Sequence, residues 1–396
     1  MQVFLEYLLK FISYILLPFF RLINKYWRFK ILFIPVGRFG HLALNTQLFF
    51  IKHKIHALDE INYFLITPHL HNKRVANSEL LSMFRVYSKE INGVFVICIT
   101  PLFILLDYMK EVLDDNGLLY RMEMDSKEAE FSLGIKTIYF DKFQYMDGVE
   151  TLKNMNIPEC RKIVTIFARD SLYLREKSPQ EDWSYHDYRD CDINTYIHSI
   201  QYLIDKGYVV IRIGSEFSKS LEFSDNNYIE YNLSEFKSEF MDLFLIYISD
   251  FLIGTTSGAT DVAVLFNTPF LGVNYAPFME CPLGGCDLFI QKKIVDQYDQ
   301  VVPYKGIINK PEYHLFDGNA MSKENLMSYI DNTPEEIYDA VVEMTLKVEK
   351  KFLLSAKQKV LLNNYHKNFC SKNSWSNKFS PISIKWLEDN KELYLD

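Results

Sequence analysis

Hydroxyl and glycine residues gather where an apolar run of strand length gives way to a helical pattern, in DFLIGTTSGATDVAVLF at residues 250–266. The run ends at Gly254 and Gly258 opens the helix, whose first N–H groups have no partner inside the helix. These donors and the positive end of the helix dipole attract anions, and Thr256 and Ser257 add hydroxyl donors. Gly258 lets a phosphate approach the backbone. Ordinary capping of the helix by Thr256 or Ser257 is the alternative interpretation.

Two arginines follow other runs of this kind, Arg169 after KIVTIFA and Arg212 within VVIRIG. Because each should project at an edge of a sheet, its guanidinium can grip a diphosphate in a bidentate manner. Surface arginines are common, but three phosphate-competent features at three consecutive strand ends favour a diphosphate site. Further contacts to the nucleotide or sugar are predicted from Gly214, Ser215, Glu216 and Asp261.

The loop PVGRFGHLALN at residues 35–45 follows the first apolar run. Gly40 permits a tight turn and lets a nucleotide or sugar approach, and Arg38 can reach a phosphate. His41 falls at the start of a helix, and a histidine has a suitable pKa to take a proton from an acceptor hydroxyl. Asp170 is the other candidate base. A histidine that caps its helix or is hydrogen-bonded in an interface is the alternative to a catalytic one.

The segment WSYHDYRDCDI at residues 183–193 is dense in aromatic and ionisable groups. Trp183, His186 and Arg189 offer a stacking face together with polar donors, which is the mixture that binds sugars. Asp190 or Asp192 can instead simply cap the helix that follows.

Strand-length apolar runs alternate with helical patterns on both sides of a polar, irregular stretch at residues 114–158, in which Asn116-Gly117 and Asp147-Gly148 predict turns. Such alternation implies parallel, doubly wound sheets, and a chain of 396 residues suits two domains. The predicted strands are 30–36, 63–67, 93–99, 162–168, 208–214, 250–254 and 270–275, and the predicted helices are 77–85, 101–113, 193–206, 235–248, 258–266 and 334–362.

These elements predict an α/β fold with two Rossmann-like domains that face each other across a cleft. The carboxyl ends of the strands would line that cleft, where such folds bind ligands. The predicted divisions are an N-terminal apolar helix at 1–29, an acceptor-side domain at 30–158, a nucleotide-binding domain at 159–333, and C-terminal helices at 334–396 that pack back on the N-terminal domain.

The first twenty residues are apolar, but Glu6 and Lys10 leave only residues 11–20 uninterrupted. That is about half of the roughly 20 residues that a spanning helix needs. Cations at positions 21, 25, 28 and 30 follow, as in an interfacial anchor on an anionic leaflet. A first helix that packs on the body of the protein is the alternative, and the sequence leaves both open.

Composition excludes some classes of protein. The net charge of −8 and the pI near 5.7 argue against binding to nucleic acid, which needs a broad basic face. Six scattered cysteines without a CxxC pair favour reduced thiols in a cytoplasm. Neither a cofactor nor a bound metal is expected, and Asp114 and Asp115 form the solvated acidic pair of a turn.

The segments GRFGH, ARDSLYL, WSYHDYRD, VIRIGS and IGTTSGATDVAVLF together resemble a family of bacterial glycosyltransferases associated with surface-polysaccharide loci, over about residues 33–277. More remotely, the strand-GTTSG-helix block is similar to the phosphate loop of heptosyltransferases and other GT-B enzymes. GRFGH is similar to the glycine-histidine loop of the lipid-linked N-acetylglucosamine transferase of peptidoglycan synthesis. The resemblance implies a GT-B fold, a donor nucleotide held mainly by the second domain, and catalysis without a divalent cation. Asp261 stands where heptosyltransferases have a histidine. The chain departs here from the heptosyltransferase pattern, which argues against heptose as the donor sugar.

The sequence thus predicts a metal-independent glycosyltransferase of capsule or lipopolysaccharide synthesis, which moves a sugar from a nucleotide-sugar donor to a glycan or lipid-linked acceptor. Arg169, Arg212 and the start of the helix at Gly258 would stabilise the departing diphosphate, while His41 or Asp170 deprotonates the acceptor. Two rivals are a nucleotide-sugar 2-epimerase, which needs no acceptor, and a non-catalytic scaffold for carbohydrate assembly. A cytoplasmic protein, with or without peripheral attachment to the inner face of the membrane, fits each of these functions.

Overall fold

A computed structural model describes residues 2–56, 61–69, 75–122, 129–158, 161–177, 179–180, 182–214, 220–277, 288–307, 327–368 and 382–395. The chain divides into two compact units. Unit 1 comprises Met1–Asp125 and Ile135–Tyr139, and unit 2 comprises Ser126–Gly134 and Phe140–Asp396. Each unit has its own parallel sheet, so the predicted α/β class with parallel sheets is confirmed.

The sheet of unit 1 has the order β3-β2-β1-β4, and its described strand pairs are parallel. The four apolar side chains of FKILF are all buried, which is why this run forms a strand in the sheet interior. The order reverses between β1 and β4. The elements are α1 (Gln2–Tyr26), β1 (Phe29–Phe33), α2 (Phe39–His56), β2 (Asn62–Thr67), α3 (Ser78–Lys89), β3 (Val94–Cys98), α4 (Thr100–Tyr108), α5 (Lys110–Asp115) and β4 (Leu119–Tyr120).

The sheet of unit 2 has the order β10-β9-β8-β5-β6-β7, again with parallel pairing throughout the described strands. Its first strand along the chain, β5, lies in the middle, and the order reverses between β5 and β8. This is the strand order of a doubly wound sheet, whose ligands bind at the reversal. The strands are β5 (Lys162–Phe167), β6 (Tyr208–Arg212), β7 (Tyr228–Glu230), β8 (Phe251–Gly254), β9 (Phe270–Tyr275) and β10 (Leu288–Gln291), and β11 (Lys293–Val295) and β12 (Ser328–Ile330) form a separate antiparallel pair.

The helices of unit 2 alternate with the strands of this sheet and continue through the C-terminal part of the chain. They are α6 (Lys142–Asn154), α7 (Leu172–Lys177), α8 (Ile197–Asp205), α9 (Glu239–Ile248), α10 (Gly258–Phe266), α11 (Tyr304–Ile307), α12 (Pro334–Val348), α13 (Ala356–Asn368), α14 (Ile384–Asp389) and α15 (Lys391–Tyr394), with 3-10 turns at Ala129–Leu133, Ser184–Arg189, Ile193–Tyr196 and Tyr231–Leu233.

The stretch 114–158, read as irregular from the sequence, contains helix α6, which belongs to unit 2. Asp141 begins this helix with a capping box. Gly148 lies inside α6 and so does not mark a turn. A Cβ at this position would lie 2.4 Å from the Phe244 ring of α9. Close packing of two helices, and not a bend of the chain, requires this glycine.

The C-terminal helices also differ from the prediction. The helix predicted at 334–362 ends at Val348, and Lys350 has a φ of +58°, which breaks the pattern before α13. α12 contacts α8, β9 and β10 of its own unit. Its Glu343 accepts hydrogen bonds from Ser383 Oγ at 2.6 Å and Ile384 N at 3.0 Å, and burial raises the pKa of this carboxyl. These helices therefore belong to unit 2, and their predicted packing on the N-terminal domain stays a prediction.

Among the described residues, no helix has the length and apolarity that a membrane span requires.

Candidate functional site

The strand order of unit 2 brings two of the predicted loops together. β5 and β8 are direct neighbours, with Phe167 opposite Gly254 at their carboxyl ends. The loops 168–171 and 255–258, here called the switch-point loops, therefore leave the sheet side by side where the strand order reverses. Arg169 N donates a hydrogen bond to Thr255 Oγ1 at 3.3 Å and ties the two loops to each other. This is the position at which doubly wound sheets bind ligands.

The second switch-point loop ends in the N-terminus of α10. Thr260 Oγ1 accepts from Ser257 N at 3.2 Å and donates to Ser257 O at 2.6 Å, which closes the first turn. The Ser257 side chain faces Thr260 as in a capping box, but no N–H reaches its Oγ at hydrogen-bonding geometry. This buried oxygen has no partner among the described residues, although Ser257 and Gly258 are partly exposed. An anion at the helix terminus would accept the hydrogen bond that this hydroxyl lacks.

Thr256 has a different role from the one predicted. Its Oγ1 donates to Ala276 O at 2.7 Å, the residue after β9. Because a hydroxyl has one proton to donate, Thr256 is occupied in joining the loop to the neighbouring strand end. The role of Thr256 as a diphosphate donor stays a prediction, and Ser257 is the neighbouring hydroxyl that has no partner among the described residues.

Arg169 lies on the first switch-point loop, with its side chain only 11% exposed. Its Nη1 forms an ion pair with Asp190 and donates to His186 O at 3.2 Å. Its Nε and Nη2 have no hydrogen-bond partner in the described part of the chain. Burial, and secondly the charge of Arg189, lower the pKa of Arg169, so the site favours a nearby anion. Arg169 holds the segment 186–190 and keeps two donors for a ligand.

The aromatic segment 183–189 forms a turn of 3-10 helix beside Arg169. The Tyr185 and His186 rings lie 3.9 Å apart, and the Trp183 ring is stacked on His186 with an interplanar angle of 11°. Arg189 Nε donates to Tyr188 Oη at 2.9 Å, and its guanidinium lies over that ring. These rings are half-buried and pack against one another.

Lys292, directly after β10, was missed by the sequence reasoning. It is buried, donates from Nζ to Asp190 O at 2.6 Å, and forms an ion pair with Asp331 at 2.7 Å. Lys292 thus holds the backbone of Asp190 while Arg169 holds its side chain. Beside them, burial raises the pKa of the Cys191 thiol to about 11, so this thiol stays neutral. The available signal was a cation directly after the apolar run LFIQ, but its partners are far away in the sequence.

Arg212 does not lie at an exposed edge of the sheet. It is the last residue of β6, its side chain is 3% exposed, and its Nη1 donates to both carboxylate oxygens of Glu230 at 3.1 and 3.3 Å. Glu230 lies opposite Arg212 on β7, a strand that the sequence did not predict. Tyr228 Oη donates to the same carboxylate at 2.8 Å. The guanidinium therefore forms a buried ion pair between two strands, a partner other than the predicted diphosphate, and its contact with a diphosphate stays a prediction.

The residues after β6 are described only as far as Gly214. This glycine has a φ of +132°, lies against the Phe167 ring, and accepts from Lys237 Nζ at 2.9 Å through its carbonyl. Ser215 and Glu216, predicted to contact the nucleotide or sugar, lie outside the described residues.

Two predicted carboxylates lie on the switch-point loops or directly after them. Asp170 Oδ1 accepts from Leu172 N at 3.1 Å and so caps the start of α7. Asp261 lies in the first turn of α10 and is partly exposed. Their predicted roles, as base and as sugar or nucleotide contact, stay predictions.

The loop that carries Arg38, Gly40 and His41 belongs to unit 1. It follows β1, at the point where the order of that sheet reverses, and Val36 O accepts from Ala76 N at 2.8 Å. Arg38 and His41 are exposed, whereas Gly40 is buried. His41 is the third residue of α2, as the predicted loop-to-helix transition requires.

The described residues contain no group of three or more His, Cys, Asp or Glu side chains that could hold a metal ion. Cys98 and Cys191 are free thiols.

No protein-family model matches the sequence, and no curated protein matches it. Similar solved structures include a family 9 glycosyltransferase from Veillonella parvula, 9% identical with a TM-score of 0.45, over 81% of this chain and 98% of that chain. The ADP-heptose lipopolysaccharide heptosyltransferase II of E. coli is 14% identical with a TM-score of 0.45, over 81% and 99%. The E. coli heptosyltransferase WaaC with ADP-2-deoxy-2-fluoro heptose is 12% identical with a TM-score of 0.36, over 66% and 93%.

Proposed function

We propose that the chain is a glycosyltransferase of the GT-B type, which transfers a sugar from a nucleotide-sugar donor to a glycan or lipid-linked glycan of a bacterial surface polysaccharide. One observation carries the proposal. The Ser257 hydroxyl is buried without a partner among the described residues, at the N-terminus of α10 and on the loop bonded to Arg169. The arrangement of an unused hydroxyl, a helix terminus and an arginine fits the diphosphate of such a donor.

Binding of the diphosphate would use donors that the fold leaves unused. Ser257 Oγ and the first N–H groups of α10 would face one phosphate, and Arg169 Nε and Nη2 the other. As the sugar bond breaks, negative charge grows on the departing diphosphate, and these fixed donors stabilise it without reorganisation. Removal of one such donor commonly costs on the order of a hundredfold in rate.

The aromatic segment 183–189 supports recognition of the sugar or the base. Asp187 accepts from Arg175 at 3.1 Å through one oxygen, while its other oxygen is buried without a partner among the described residues. A ligand hydroxyl would donate to that oxygen, next to the stacked rings of Trp183 and His186. We assign the orientation of the donor to this segment, with a contribution from Asp261.

His41 is our candidate for the base that deprotonates the acceptor, with Arg38 beside it for a phosphate of the donor or acceptor and Asp170 as the alternative base. His41→Ala should lower kcat by roughly 100-fold or more and leave donor binding unchanged. Unchanged turnover would remove His41 from this role and transfer it to Asp170.

We further propose that transfer proceeds without a divalent cation in the cytoplasm, on acceptors of capsule or lipopolysaccharide type. Arg169 and the α10 terminus can supply the positive charge that a metal supplies in other transferases. Free thiols at Cys98 and Cys191 suit a reducing compartment. Full activity in EDTA would support the first point, and restoration of activity by Mg²⁺ after EDTA treatment would contradict it.

The first test is a thermal-shift screen of nucleoside diphosphates and nucleotide sugars in EDTA. A ligand present at about 100 times its Kd stabilises the folded state by about 2.7 kcal/mol. Arg169→Lys keeps the charge that pairs with Asp190 but loses the guanidinium fork, so it should fold and lose most of the shift. Arg121→Lys is the matched control, since Arg121 forms an exposed ion pair with Asp114 in unit 1.

A shift with one nucleotide in wild type and Arg121→Lys, much reduced in Arg169→Lys, is the expected result. No shift with any nucleotide would overturn the proposal. Conversion of a bound nucleotide sugar to its epimer, without release of nucleotide when acceptor is added, would identify a 2-epimerase instead.

A further inference from the structure

Helix α1 shows an apolar face to solvent. Phe11, Ile15, Leu22 and Tyr26 are separated by four, seven and four residues and so lie on one side of the helix, and each is at least half exposed. Phe19 and Ile23 extend this outer face, which is defined by these six residues, and are also exposed. A contiguous apolar surface of this kind marks an interaction site.

The opposite side of α1 is attached to unit 1. Leu17 is buried, the helix contacts α4 and α5, and the Phe20 ring packs edge-on against Phe29 of β1 with centroids 6.4 Å apart. Arg21 also donates to the side chain of Asn116. The alternative of a first helix that packs on the protein therefore holds for one side of α1, whereas the other side leaves apolar side chains exposed.

Positive charge accompanies this face. Residues 1–30 contain five Lys and Arg against one acidic residue, in a chain whose net charge is −8. Arg21, Lys25 and Arg28 are exposed, and Arg21 and Lys25 lie one turn apart along one border of the outer face. Tyr26 and Trp27, amphipathic rings that favour a membrane–water interface, are exposed at its end.

We propose that the outer face of α1 docks unit 1 on an anionic lipid surface, with the helix lying in the plane of the interface. The apolar side chains would enter the boundary between headgroups and acyl chains, while Arg21 and Lys25 meet the lipid phosphates. Attachment of the opposite side to α4, α5 and β1 keeps the helix parallel to the surface of unit 1. Charge complementarity selects an anionic lipid over a second copy of this chain, whose outer face would bring like charges together. The inference goes beyond the proposed function, because it requires no sugar or nucleotide.

The experiment is flotation of the full chain with vesicles of phosphatidylcholine, alone or mixed with phosphatidylglycerol, without substrates. Wild type should float with the mixed vesicles and much less with phosphatidylcholine alone. The double variant Ile15→Glu, Leu22→Glu should lower partition by on the order of 100-fold, and Arg21→Gln, Lys25→Gln by roughly fivefold per charge. Both variants alter exposed side chains, so thermal unfolding should be close to that of wild type.

Matched controls lie on unit 2. Leu353→Glu with Val360→Glu replaces two exposed apolar residues, and Lys357→Gln with Lys359→Gln removes two exposed cations. Neither should change flotation. Equal flotation of the α1 variants and wild type, or of wild type with and without anionic lipid, would overturn the proposal. So would a lipid-free dimer in sedimentation that Ile15→Glu, Leu22→Glu dissociates, since the outer face would then bind a second copy.

Discussion

The substitution Ser257→Ala distinguishes two roles of the Ser257 hydroxyl, binding of a ligand and capping of helix α10. In most helices, loss of a serine cap costs about 1 kcal/mol, because its oxygen accepts from a backbone N–H. Here no N–H reaches Ser257 Oγ, and the loop is closed by Thr260 instead. Removal of a buried hydroxyl that has no partner should therefore change the free energy of unfolding of the ligand-free protein by less than about 1 kcal/mol, and in the stabilising direction if at all.

Ligand binding should respond in the opposite sense. A hydrogen bond from a hydroxyl to a charged phosphate contributes about 1.5–3 kcal/mol, which corresponds to roughly 10- to 150-fold in Kd. We expect the lower end for Ser257→Ala, because the adjacent N–H groups of α10 would still reach the phosphate. The matched control is Thr260→Val, which removes a hydroxyl that accepts from Ser257 N at 3.2 Å and donates to Ser257 O at 2.6 Å. This variant should destabilise the ligand-free protein by about 1–3 kcal/mol.

The assay is urea unfolding of each variant without ligand, followed by calorimetric titration with the nucleoside diphosphate that gives the largest thermal shift. A loss of more than about 2 kcal/mol in ligand-free Ser257→Ala would refute the reasoning, since it would mean that the hydroxyl already has a partner in the protein. An unchanged Kd would equally refute it and would move the diphosphate away from this helix terminus.

Two further predictions concern packing and pH. Gly148→Ala should lower the free energy of unfolding by roughly 1–3 kcal/mol, because its Cβ would meet the buried Phe244 ring at 2.4 Å. This clash should outweigh the helix propensity that alanine adds. Gly306→Ala is the control, since its Cβ would meet nothing within 4 Å, and a rise in Tm for Gly148→Ala would contradict the packing. Glu349→Gln should cost roughly 0.5 kcal/mol near neutral pH, because hydrogen bonds from Lys162 and a second lysine lower the pKa of Glu349 to about 2. Since the pKa of Glu349 in the folded state lies below the unfolded value of about 4.3, this stability is complete above pH 4.3 and is lost as the pH falls toward 2. The difference between wild type and variant in urea unfolding should therefore shrink as the pH is lowered through this range. A difference independent of pH would exclude the ion pair as its source.

The boundaries around the second switch-point loop could be read from the sequence. The predicted helix 258–266 and strand 270–275 agree with α10 and β9, and the strand that ends at Gly254 agrees with β8. Continuous apolar runs report burial on both faces of a strand, and glycine after such a run reports its end, so both signals are local. Where a glycine served packing, as Gly148 does below Phe244, the same local rule gave a turn that does not exist.

Roles of individual side chains were decided by partners that are distant in the chain. Thr256 and Ser257 are adjacent hydroxyls with the same chemistry, and only the carbonyl of Ala276 makes one of them occupied. Arg169 and Arg212 both follow apolar runs, yet β7 places Glu230 opposite Arg212.

By itself, the sequence determined the parallel α/β elements and the loops at their carboxyl ends, because hydrophobic periodicity and glycine act over a few residues. The tertiary structure decided which donors remain for a ligand. A hydrogen bond needs both a donor and an acceptor, and the order of the strands determines which acceptor each donor meets. Where the strand order reverses between β5 and β8, it joins Arg169 to the loop of Ser257. The pairing of β6 with β7 instead places Arg212 in an ion pair with Glu230.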